Sequence, residues 1–231
     1  MRIGIIGAML EEVREIHEAM VVEETLNMAR MEFKLGKIGD VEVVCVMSGI
    51  AKVNAAVCAQ ILIDKFNVTH IINTGIAGSL NNDLNIGDFV VSKEVLEHDI
   101  DCTALGYDYG VIPQINQLCF EADQELADKI VEAIKETSNE VNVIKGRVSS
   151  GEQFVSDAET KDWIKKTYNA DCVEMEGGAI AQVAWLNQIP FVIVRAISDK
   201  ADGSAIMDYV KFEDEASRRS ARMMIDVIKK I

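Results

Sequence analysis

Two spacings of apolar residues alternate along the chain. Arg2 to Gly7 carries Ile3, Ile5 and Ile6 in a run too short for a helix, which predicts a buried strand. After a turn at Ala8-Met9, Leu10, Val13, Ile16 and Met20 recur at helical spacing. Residues 22–46 predict a meander: Met31 to Leu35 alternates, Gly36 to Asp40 carries turn residues, and Val41 to Val46 is the next strand. A helix uninterrupted by Gly or Pro is expected from Ala51 to Phe66, with Val53, Ala56, Val57, Ile61 and Leu62 on its apolar side. His70 to Asn73 reads as a strand that breaks at Thr74-Gly75-Ile76-Ala77-Gly78-Ser79, and Gly87 to Val95 as another strand.

In the second half, Glu121 to Glu136 is amphipathic, and Val143 to Ser150 is a strand running into the loop Ser149-Ser150-Gly151-Glu152-Gln153-Phe154-Val155. Ala170 to Val173 ends a short strand. Ile180, Val183 and Ala184 then share a helix face, and that helix must close near Asn187, ahead of Pro190. Phe191 to Val194 is the most apolar strand and is expected at the sheet centre. Asp202-Gly203 marks a turn, and a last helix runs from about Phe212 to Lys230. The order of elements predicts one α/β domain over residues 1–231, with a central mixed, mostly parallel sheet flanked by helices.

Composition narrows the function classes. Of 231 residues, 49% are hydrophobic and 26% charged, ordinary globular values, and two prolines leave no candidate linker. A net charge of −15 disfavours nucleic acid and anionic membrane as partners. Cys45, Cys58, Cys102, Cys119 and Cys172 are odd in number, scattered, and mostly within apolar runs, as expected of free thiols in a reducing compartment. The first residues run directly into acidic Glu11-Glu12, unlike a signal peptide, so a cytoplasmic location is expected.

The candidate chemistry lies where predicted strands end. Glu174 and Glu176 flank Met175 at a strand-to-helix junction, where open α/β sheets place ligands. An isolated Glu there would be a dipole partner of the helix, and Glu11 is read that way. Glu12 and Asp199 occupy similar junctions, and Arg195 and Asp199 follow a buried strand, where charge is expensive unless paired or used. Gly75 and Gly78 allow close approach of backbone to a ligand. Phe154 alone would be a core residue; beside these acids it is also a candidate platform for a flat ring. The stretch Glu97-His98-Asp99-Ile100-Asp101 is discounted as a metal site because the three histidines lie apart without ligand spacing. Neither metal nor cofactor is expected. Leu105 to Pro113 is an aromatic, glycine-containing loop suited to contact. The strand ends should bring Glu12, Ile76, Phe154, Glu176, Arg195 and Asp199 into one cleft.

Several segments recur in a known order: Gly4-Ile5-Ile6-Gly7-Ala8-Met9 with Glu11-Glu12-Val13, Ser48 to Ala56, Asn73 to Gly78, Val173 to Glu176, and Arg195 to Asp199. From about residue 2 to the last helix, the chain resembles the bacterial 5′-methylthioadenosine/S-adenosylhomocysteine nucleosidases, within the nucleoside phosphorylase family. That resemblance implies a phosphorylase-like fold, a homodimer, and adenine nucleosides as substrates. It implies that Asp199 protonates the purine at N7, that Glu12 activates a water helped by Arg195, and that Glu176 grips the ribose hydroxyls while Met175 packs on the sugar. Phe154 would stack on adenine, the Val155 backbone would read its edge, and Tyr209 would lie near the 5′ end. Met9, Ile50, Ile76, Gly78, Glu174, Arg195 and Ser198 are further substrate-binding positions by the same resemblance. Leu105, Tyr107 and Pro113 of a partner subunit would close the 5′-alkylthio pocket. Leu105 and Ile76 depart from the usual pattern, which favours an aromatic and a hydroxyl residue there.

The activity so implied is hydrolysis of 5′-methylthioadenosine and S-adenosylhomocysteine, and of 5′-deoxyadenosine, to adenine and the sugar product, in methionine salvage. The residues favour water over phosphate as nucleophile, since the strand-end loops hold no basic side chain and Glu12 would repel an anion. An aminodeoxyfutalosine nucleosidase of menaquinone synthesis, or a non-catalytic nucleoside-binding module, is the alternative reading.

Overall fold

A computed structural model describes residues 1–231. The chain runs β1 (Arg2–Gly7), α1 (Leu10–Ala19), β2 (Val21–Met28), β3 (Met31–Ile38), β4 (Val41–Met47), α2 (Lys52–Phe66), β5 (His70–Ser79) and β6 (Phe89–Glu97). It continues through β7 (Cys119–Glu121), α3 (Gln124–Thr137), β8 (Val143–Ser150), α4 (Ala158–Tyr168), β9 (Cys172–Glu174), α5 (Gly177–Leu186), β10 (Phe191–Asp199) and α6 (Ala205–Ile228). All ten strands belong to one sheet, ordered β10-β6-β8-β9-β5-β1-β4-β3-β2 with β7 beside β6. Because β10 also pairs with β5, the strands β5, β10, β6, β8 and β9 close on themselves.

Pairing is parallel through β4-β1-β5-β10 and again through β6-β8-β9. It is antiparallel where β10 meets β6, β5 meets β9, β6 meets β7, and through β2-β3-β4. Antiparallel contacts thus form a larger share of this mixed sheet than hydrophobic patterning suggests. Pairing depends on which strands become neighbours after the chain closes, and a run of apolar residues carries no such address.

The apolar runs are long because the inner strands are covered on both faces. Successive side chains on a strand point to opposite sides. Ile5, Cys45, Ile72, Val192 and Val194 therefore join one core with α1, α3 and α6, while Ile6, Val44, Val46, Ile71 and Ile193 join a second with α2 and α5. β10 sits between β5 and β6, the central place its composition predicts.

Four expectations need correction. β5 does not break at Thr74 but runs on to Ser79, paired with β10 across Gly75 and Gly78. These glycines clear space rather than end the strand: a Cβ on Gly75 would lie 2.5 Å from Glu12 Oε1 and 2.6 Å from Arg195 Nη1, and one on Gly78 2.8 Å from Asp199 Oδ1. The face of α2 is also different. It buries Ala55, Cys58, Ala59, Leu62 and Phe66, leaving Val53 73% and Val57 41% exposed. That helix is apolar nearly all round, so its sequence holds no phase, and its small residues form the side that packs. α6 begins at Ala205, which brings Tyr209 onto a helix. Finally, α4 and β7 have no counterpart in the patterning; α4 buries only Ile164 and Tyr168 and is started by Asp157, whose carboxylate accepts the Thr160 N–H at 2.8 Å.

Candidate active site

Strand ends and helix starts converge on a cavity of about 470 Å³. Glu12 enters from the first turn of α1. Met9, the residue that precedes this helix, offers no oxygen cap, and Glu12 takes up the free N–H groups instead. Its Oε2 accepts from Ala8 N at 2.6 Å and Met9 N at 3.0 Å, and its Oε1 from Ile76 N at 3.1 Å on β5. Burial pushes the Glu12 pKa upward; Arg195 and the three amides pull the other way. Glu11 behaves as an ordinary surface acid, 3.3 Å from Arg14.

Asp199 closes β10 just past a register shift. Its Oδ2 accepts from Ser198 Oγ at 2.8 Å and its Oδ1 from Ala201 N at 2.7 Å. Burial again raises the pKa; the two hydrogen bonds oppose this, and the nearby acids Asp208 and Asp202 reinforce it. Asp199 is thereby biased toward holding a proton.

The two remaining acids divide their work. Glu174 faces inward: Oε2 accepts from Glu176 N at 3.1 Å, Gly177 N at 2.7 Å and the Arg195 guanidinium, and Oε1 accepts from the Ser150 hydroxyl. It ties the start of α5 to β8 and β10, so its oxygens are already engaged although it borders the cavity. Glu176 Oε1 accepts from Ala51 N at 2.8 Å, while its Oε2 stands 3.7 Å from Arg195 Nη2. Burial and the neighbouring Glu174 drive the Glu176 pKa up.

Arg195 differs from expectation. It is 1% exposed, forms no part of the cavity lining, and reaches Asn73 Oδ1 at 2.5 Å as well as Glu174. It stands behind the wall, as the one cation beside Glu12, Glu174 and Glu176. Asn73, which also donates to Ile6 O at 2.9 Å, was not singled out by sequence. Its signal was an amide directly after the apolar pair Ile71-Ile72.

Met9, Ile50, Ile76, Gly78, Phe154, Met175, Ser198 and Tyr209 all line the cavity, as do Ala8, Ala77, Val173, Ile206 and Val210, which were not anticipated. A narrow recess bounded by Gly78, Phe154, Val155, Met175 and Asp199 opens beside it, so Val155 contributes there. At the mouth, Phe154 meets Tyr209 edge-on at 5.2 Å, and the Tyr209 hydroxyl lies 3.4 Å from Met9 Sδ. Ile206 and Val210 come from the early turns of α6, and misplacing the start of that helix concealed them. Leu105, Tyr107 and Pro113 do not line this cavity. The 97–101 stretch is engaged elsewhere: Glu97 and Asp99 hold Lys52, and His98 Nδ1 pairs with Ser149 Oγ at 2.9 Å.

Residues 2–229 match the family model described as the phosphorylase superfamily. The chain belongs to that superfamily. A relative from Staphylococcus aureus, a 5′-methylthioadenosine/S-adenosylhomocysteine nucleosidase, is 42% identical over 221 residues, 95% of this chain and 96% of the relative. Among solved structures, the nucleosidase of the same description from Neisseria meningitidis, in complex with methylthio-immucillin-A, superposes with a TM-score of 0.95 at 35% identity, covering 100% of this chain and 99% of that one. The futalosine hydrolase of Helicobacter pylori superposes at 0.93 with 30% identity, covering 100% and 98%. This superfamily member therefore has relatives of two activities on one backbone, and the choice between them lies in its own cavity.

Proposed function

We propose that the chain hydrolyses the N-glycosidic bond of 5′-methylthioadenosine and S-adenosylhomocysteine, with 5′-deoxyadenosine as a further substrate, in methionine salvage. The observation that carries this reading is the pairing of two buried acids across one cavity: Asp199, biased toward its protonated form, and Glu12, held by three backbone N–H groups.

Breaking the C1′–N9 bond leaves positive charge on the sugar and an electron pair on the purine. A proton from Asp199 to N7 neutralises the leaving base, a step of general acid catalysis typically worth about 10²–10⁴-fold. Glu12 orients a water and accepts its proton as oxygen bonds to C1′. The free oxygen of Glu176 accepts from the ribose hydroxyls as charge develops on the sugar. The products are adenine and the free 5-thioribose, with the proton on Glu12 returned through solvent to Asp199.

Phosphate is disfavoured as nucleophile, because the nearby guanidinium is buried behind Glu174 and no cation lines the cavity. The apolar mouth of Met9, Ile50, Ile206 and Val210 suits the alkylthio carbon and sulfur that 5′-methylthioadenosine and S-adenosylhomocysteine share. We assign Leu105, Tyr107 and Pro113 to closing the mouth of a partner's cavity in a homodimer. Incubation with 5′-methylthioadenosine in phosphate-free buffer, followed by chromatography, should yield adenine and 5-methylthioribose. Adenine release only after phosphate addition would replace the hydrolase reading with a phosphorylase.

A further inference from the structure

Beside the cavity, at the start of α2 and the ends of β6 and β8, lies a charge cluster that the reaction does not use. Lys52 Nζ donates to Glu97 Oε2 and to Asp99 Oδ1, each at 2.7 Å, and little of the Lys52 side chain meets solvent. The backbone N–H of the same residue donates to Glu152 Oε1 at 3.0 Å, and Glu152 N returns to Asp99 Oδ2 at 2.9 Å. One lysine is thus fastened at both its ammonium and its amide, to acids from two different strand ends. Glu97 is itself pressed against α5, since a Cβ on Gly178 would lie 2.6 Å from Glu97 Cγ.

One residue upstream, Ala51 has φ 83° and ψ 161°, a conformation that glycine tolerates and alanine adopts only when its surroundings impose it. In that conformation the Ala51 N–H points at Glu176 Oε1. The other oxygen of Glu176 is 3.7 Å from Arg195 Nη2. If the Ala51 N–H turned away, nothing would keep Glu176 from closing fully on Arg195 and withdrawing from the cavity.

We propose that Lys52 is a positioning residue: clamped by Glu97 and Asp99, it holds the Ala51 peptide in its strained conformation, so that the Ala51 N–H aims Glu176 at the vicinal hydroxyls of the substrate's ribose. The inference rests on the nucleosidase reading above. Lys52 touches no reacting atom and acts through Glu176 alone, so its removal should be felt in proportion to what Glu176 does.

The test is a cycle of one substitution against one change in the substrate. Adenine release is measured for the full chain and for Lys52→Met, with 5′-methylthioadenosine and with its 2′,3′-dideoxy analogue, which offers Glu176 no hydroxyl. The expected result is a loss in kcat/KM of about 10–10²-fold on the ribonucleoside and under threefold on the dideoxy analogue, a coupling within the range for groups sharing one network. Equal losses on both substrates, or no loss on the ribonucleoside, would overturn the role of Lys52. Wild-type protein inactive on both would overturn the nucleosidase reading, and this inference with it. Should Lys52→Met not fold by circular dichroism, Asp99→Asn removes one anchor and is judged by the same pair of substrates, with a smaller loss of about 3–10-fold confined to the ribonucleoside.

Discussion

The inner wall and the mouth of the cavity are built by different means. On the wall, Glu12 and Asp199 are held largely by backbone: three N–H groups for one, an N–H and the adjoining Ser198 hydroxyl for the other. At the mouth, side chains alone set the shape, with Ile206 and Val210 63% and 77% exposed on the first turns of α6. Groups fixed by backbone keep their geometry as long as the sheet folds. Side chains on an exposed helix can change without disturbing it. The chain superposes on both a nucleosidase and a futalosine hydrolase structure; in the function proposed above, the wall carries the reaction and the mouth meets the 5′ substituent.

The strongest way to break this contrast is at the wall. Asp199→Asn keeps size and hydrogen-bonding capacity but cannot deliver the proton, so kcat in an adenine-release assay should fall about 10²–10⁴-fold. Nucleoside affinity by calorimetry should stay within a few fold. A fall in affinity that accounts for the whole loss would make Asp199 a binding group.

Gly75→Ala probes how little room the wall leaves. The added methyl would meet Glu12 Oε1 and Arg195 Nη1 inside normal contact. Overpacking of this kind typically costs about 1–3 kcal/mol, and for a chain of this length about 2–4 °C of Tm per kcal/mol. Turnover should fall as well, because the carboxylate must move. An unchanged melting curve would show that the strand and Glu12 can separate freely.

At the mouth, Ile206→Ser combined with Val210→Ser should raise KM for 5′-methylthioadenosine about 3–10-fold, the loss expected from one or two imperfect apolar contacts, while leaving kcat within twofold. If kcat fell as far as it does in Asp199→Asn, wall and mouth would not be separable.

The smallest effect is in pH. The folded-state pKa of Asp199 is raised above its unfolded value. Its contribution to stability is therefore fully present below the unfolded value near 3.8 and is lost as pH rises through the folded value. Asp199→Asn has no such loss, so its Tm relative to wild type should climb as pH rises above about 4. A difference that shrank with rising pH would mean that the native state favours the carboxylate.

Much of this was legible in the sequence where periodicity or capping chemistry is local. β8 matches its expected bounds of Val143 and Ser150, and Pro190 marks the start of β10. The strand-end acids were visible because charge next to a long apolar run requires a reason. Other features were not readable for definite causes. The phase of α2 was hidden because its apolar residues are spread around the helix. Gly75 and Gly78 looked like breaks because what they make room for, Glu12, Arg195 and Asp199, comes from distant parts of the chain. Arg195 resembled a substrate contact until Asn73 and Glu174 were seen to enclose it.

The order of residues alone was enough to assign the α/β class and the central place of β10, and to single out the acids Glu12, Glu174, Glu176 and Asp199 that the fold brings to one cavity. These depend on spacing, burial of apolar runs and the cost of buried charge, all of which act over a few neighbours. What each acid touches, and which oxygen it leaves free, was decided by folding. Glu174 and Glu176 are two residues apart and alike in sequence, yet one faces Arg195, Ser150 and the start of α5, while the other accepts a single N–H from Ala51, 125 residues away along the chain. A carboxylate's protonation and free valence are set by the donors and charges around it, and those gather only when remote strands and helices pack together.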